Sequence, residues 1–282
     1  MYCSAAGRTR SPRNNAAELA EADRGTPEDR LHALDYLVYA HLQLAQDDQA
    51  KKALDVAVNI QNDLNARKHD SILRAGPFGI AAIEARWALE RLDWAAAANL
   101  QLRPNRYPYA ESVPHFARAV GLARSGRPAE ASSDLERLVA LQKTLADAKN
   151  LYWARQVAIQ LKMATAWRDR ALHRDSEAVA LVQEAAKMEE TSERLMRGHA
   201  DGAGAERVVG LGGPSEAFET FEASLRTAKN RLRSYAGAAA AAAAMGKAAD
   251  ARSYYGKVVE LAEGGTRPEI VQAKAYLQQA GK

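Results

Sequence analysis

The sequence predicts an all-α protein, and three observations predict it. Apolar residues make up 47% of the 282 residues and aromatics only 6%, with alanine prominent; alanine is the best helix former and lets helices approach closely. Apolar side chains recur three and four positions apart over long stretches, which lines one face of a helix. The nine prolines and eighteen glycines fall mostly between those stretches and punctuate them.

Taken in order, residues 1–25 mix Arg, Ser, Asn and Gly without sustained periodicity and are expected to be poorly ordered. Thr26 stands where it would cap a helix whose first residue is Pro27, with Asp29 in the first turn. Leu31, Leu34, Leu37, Val38, Leu42 and Leu44 then keep helical spacing. After a pause at 46–48, Ala50, Leu54, Ala57 and Val58 resume it, so the segment reads as two antiparallel helices joined by a short turn. The same shape predicts pairs at 79–91 with 94–101, 112–124 with 128–145, 151–170 with 175–190, and 231–245 with 248–263. A fifth pair shows a clear second helix only, at 214–227. Thr266, Pro268 and Glu269 announce a last helix to about Gln279.

A register runs through these pairs: a turn residue, a side chain two later, an alanine three after that, a large apolar residue four further on, and a small one after three more. The third pair reads Gly126, Pro128, Ala131, Leu135, Leu138, and the sixth Gly246, Ala248, Ala251, Tyr255, Val258. The first reads Ala45, Asp47, Ala50, Leu54, Ala57; the second begins Leu92, Trp94, Ala97. The fourth offers His173, Ala178, Val182, Ala185, and the fifth Gly212, Ala217, Phe221, Ser224. This pattern resembles the tetratricopeptide repeat (TPR) family. The resemblance implies a right-handed superhelical solenoid of antiparallel helix pairs, with the alanine where the second helix crosses the first. Ala97 to Ala131 and Ala217 to Ala251 are each separated by the family period of about 34 residues; the other intervals are longer.

The resemblance covers about residues 26–282, with four pairs over 26–190, then a partial fifth, the sixth and a capping helix over 214–282. The family's tryptophan and leucine-glycine pair in the first helix are largely absent. Pro104 is expected to cut short the second helix of pair two. Residues 191–213 carry Gly198, Gly202, Gly204, Gly210 and Gly212, and read as a glycine-rich break. The abrupt start suggests the C-terminal part of a longer bacterial repeat protein.

Composition and motifs weigh against most chemistry. A net charge of +4 on 39 basic and 35 acidic residues marks a mixed surface, not a nucleic-acid footprint. Cys3 is the only cysteine, so no intrachain disulfide or cysteine-based metal site is expected. No apolar run is long enough for a membrane span, and a cytoplasmic location follows by default. Gly210, Gly212 and Gly213 lack the following lysine and the preceding strand of a phosphate loop. No histidines stand at zinc-motif spacing, and His115 reads as a packing residue. Glu189, Glu190 and Glu193 read as solvated charge, and Ser125 and Ser215 lack a nucleophile-elbow setting. No catalytic residue, cofactor or metal ligand is assigned.

The function that the resemblance implies is partner binding in the concave groove lined by the first helices. The usual inward positions fall on His32, Asp35 and Tyr39, on Arg86 and Glu90, and on Phe116, Val120, Arg124, Met163, Trp167 and Arg170. Aromatic and arginine side chains of this kind dominate binding hot spots. The partner expected is a protein or an acidic peptide met by Arg124 and Arg170. A chaperone-type carboxylate clamp is not expected, because Asp35 and Tyr39 stand at the matching positions. The other reading is a regulatory or sensor module, part of a longer polypeptide, that binds a small ligand in the groove in a pocket around Phe116 and Trp167.

Overall fold

The computed structural model describes residues 27–66, 75–103, 105–195, 213–227, 229–262 and 264–279. Every regular element among them is a helix. The first seven are α1 (Pro27–Gln43), α2 (Asp47–Ala66), α3 (Ala75–Glu90), α4 (Trp94–Ala98), α5 (Pro108–Arg124), α6 (Ser132–Asp147, after a 3₁₀ turn at Pro128–Ala131) and α7 (Leu151–Ala171). The rest are α8 (Asp175–Leu195), α9 (Pro214–Thr227), α10 (Leu232–Ala244), α11 (Ala248–Leu261) and α12 (Pro268–Gln279). The chain forms two compact units, one reaching to Leu181 without Gln43–Gln46, the other made of Val182 onward with Gln43–Gln46.

Several boundaries differ from the sequence expectation. Helix α5 begins at Pro108, not 112, because proline at the first helical position presets φ and gives up an N–H that has no partner there anyway. Helix α4 is a five-residue stub: Asp93 Oδ1 accepts from the Ala96 N–H at 3.0 Å, and the Asn99 side chain donates to the Ala95 carbonyl at 2.9 Å. It ends well before Pro104, which lies outside the described residues. Helix α8 runs to Leu195, so 191–195 is helical where a break was expected, and residues 196–212 lie outside the described ones. So do the expected N-terminal segment 1–25 and the Thr26 cap.

Most of the turns inside the pairs are built alike. Leu92, Gly126, His173 and Gly246 all have positive φ, between 57° and 78°. The next residue donates its N–H back across the helix end: Asp93 to Ala88 O at 3.0 Å, and Arg127 to Leu122 O, Arg174 to Asp169 O and Lys247 to Ala242 O at 2.9 Å. This is the Schellman closure, which satisfies carbonyls that a helix end leaves without partners. Lys149, between α6 and α7, repeats it with φ 56° and Asn150 donating to Leu145 O at 2.9 Å. Five residues after the left-handed residues Ala45, Leu92, Gly126, His173 and Gly246 come Ala50, Ala97, Ala131, Ala178 and Ala251, all wholly buried.

In the first unit, Leu31, Leu34, Leu37, Val38 and Leu42 of α1 share a core with Ala50, Ala53, Ala57, Ile60 and Leu64 of α2 and with Ile80 and Ile83 of α3. Helix α5 packs on α3, α4, α6 and α7 and buries most of its length, including Phe116 and Val120. Small residues permit that enclosure: a Cβ on Gly121 would run into the backbone of Ala97 and Ala98.

In the second unit, Phe218 and Phe221 of α9 pack on Ala238, Ala241 and Ala242 of α10. Leu232 and Ala239 of α10 meet Tyr255 and Val258 of α11 and Ile270 and Ala273 of α12. The Phe221 ring fills the place where Gly237 would carry a side chain.

Candidate functional site

Helices α1, α3, α5 and α7 carry the residues expected to face a groove, and the structure sorts them into three kinds. Phe116, Val120 and Met163 are buried and hold helices together. They are corrected to core positions: neighbouring helices meet over them, so their apolar side chains are excluded from solvent.

The second kind is a polar group between α1 and α3. Asp35 is buried and paired with Arg86, whose guanidinium also lies 5.5 Å from the Tyr39 ring centroid. Glu90 is likewise buried, one helical turn beyond Arg86. A buried carboxylate keeps its charge only with such pairing, so Asp35 and Arg86 orient one another. His32 is exposed and edge-on to Tyr36, ring centroids 5.0 Å apart.

The third kind is exposed or half-buried. The Arg124 guanidinium carbon lies 4.8 Å from the Trp94 ring centroid and 4.6 Å from that of Trp167. Each indole face carries negative charge density, so both rings attract the same cation. Three elements build this cluster: Trp94 opens α4, Arg124 closes α5, and Trp167 lies in the last turns of α7. Arg170 follows Trp167 by three residues, so both lie on one side of α7. Its guanidinium is 3.4 Å from Asp175, with both side chains well exposed.

Two further clusters lie outside the expected set. Asp134 is buried and receives His115 Nδ1 at 2.7 Å, while Arg118 Nε lies 3.3 and 3.2 Å from its two oxygens. Arg118 Nη1 donates to the Leu100 carbonyl at 3.2 Å, tying α4's exit loop to α5 and α6. The imidazole therefore has a structural partner, and the group ties elements together. At the other end of α5, the Tyr109 and Trp153 rings stack at 4.6 Å, with Phe78 5.3 Å from Trp153 and Tyr107 5.6 Å from Tyr109.

Sequence reasoning placed Trp94 only in the repeat register and did not connect it to Arg124. Its position two residues after a turn is the signal that sets it at the start of a second helix. Nothing local announces Asp134, which lies nineteen residues from His115.

Among the described residues, no group of three or more His, Cys, Asp or Glu is placed to hold a metal ion, and no helix is long and apolar enough to cross a membrane. No protein-family model, curated protein or solved structure matches the chain.

Proposed function

We propose that this chain is a TPR-like array of helix pairs that works as a non-catalytic scaffold, binding a protein or peptide along its first helices. The repeat reading is supported by the left-handed turn residue followed five positions later by a wholly buried alanine, found in both compact units. That coincidence of backbone and burial is what stacking one supersecondary unit after another requires. The binding reading is supported by the exposed arginine in contact with two tryptophan rings at the end of the first helix of pair three, since Trp and Arg are the side chains that most often anchor interfaces. A pocket enclosed around Phe116 and Trp167 draws less support, because Phe116 is packed into the core.

The test is site-specific photocrosslinking in a lysate of the source cell. A photoreactive residue is placed at Tyr39 or Arg170 on first helices, and at the exposed Val56 or Val139 on second helices. Adducts to one protein partner are expected from the first pair of positions and not from the second. Adducts from Val56 and Val139 alone, or from no position, would overturn the reading.

A further inference from the structure

We draw no further inference here: the strongest candidate, the aromatic surface patch of Phe78, Tyr107, Tyr109, Tyr152 and Trp153 where α3, α5 and α7 begin, carries none, because nothing in the structure shows what covers it.

Discussion

The imidazole Nδ1 of His115 lies 2.7 Å from Oδ1 of Asp134, joining α5 to the start of α6 at a point where the carboxylate is almost wholly excluded from solvent. Arg118 takes both oxygens of the same carboxylate. Removing the shared acceptor strands the buried imidazole and takes the carboxylate from the half-buried guanidinium of Arg118 at once. Asp134→Ala is therefore expected to destabilise the first unit by about 3 kcal/mol. Asp134→Asn keeps one acceptor oxygen and should cost less. Urea unfolding followed by circular dichroism measures both, and equal effects of the two substitutions would argue against this account.

Close helix crossings make a second prediction. A methyl group on Gly121 has no room against the backbone of Ala97 and Ala98, so Gly121→Ala should cost about 1–3 kcal/mol through overpacking. Ala131, wholly buried where α6 begins, should respond in the same way to leucine, while the exposed Ala140 on the same helix tolerates it within about 0.5 kcal/mol. Melting temperatures of the three variants give the ranking.

The turns separate backbone strain from packing. Gly126 has φ +78° and open space around an added Cβ, so Gly126→Ala should cost about 1 kcal/mol for conformational reasons alone. Lys149 holds an equivalent left-handed position with φ 56° and an exposed side chain. Lys149→Gly should consequently stabilise the protein by up to about 1 kcal/mol, the relief of αL strain less the extra freedom of the unfolded chain. Denaturant midpoints moving the same way in both variants would contradict this.

In the second unit the Tyr254 hydroxyl donates to Glu222 at 2.7 Å, and burial together with that carboxylate pushes its pKa up to about 12. The sign follows from linkage. Below the unfolded value of about 10 the tyrosine is protonated in both states and its contribution is complete. As pH rises from there toward the folded value, the unfolded chain releases the proton first and stability falls. The difference in melting temperature between the parent and Tyr254→Phe should be constant to near pH 9.5 and narrow above about pH 10. A difference that widens with pH would exclude the arrangement.

Much of the fold was legible in the residues because it depends on neighbours in sequence. The spacing of Leu31, Leu34, Leu37, Val38 and Leu42 announced α1, and those side chains are buried. Even where the residue type was unfavourable, as at Leu92 and His173, the register located a left-handed turn. The chain needs five positions from turn to crossing whatever side chain the turn carries. Boundaries were less legible: Pro108 was not read as the start of α5, and the Schellman turn at Lys149 carries no glycine to announce it.

What the sequence by itself determined is the helical character of the chain, the order of its pairs and the small residues at their crossings, all set by local periodicity and backbone preference. Tertiary structure alone decided which first-helix side chains face solvent and which meet one another. Phe116, Val120 and Met163 went to the core, Asp35 to Arg86, and Arg124 to two tryptophans, one 30 residues before it and one 43 after it. The reason is physical: helical periodicity fixes a side chain's angle about its own helix axis, and the placement of the neighbouring helices decides what lies at that angle.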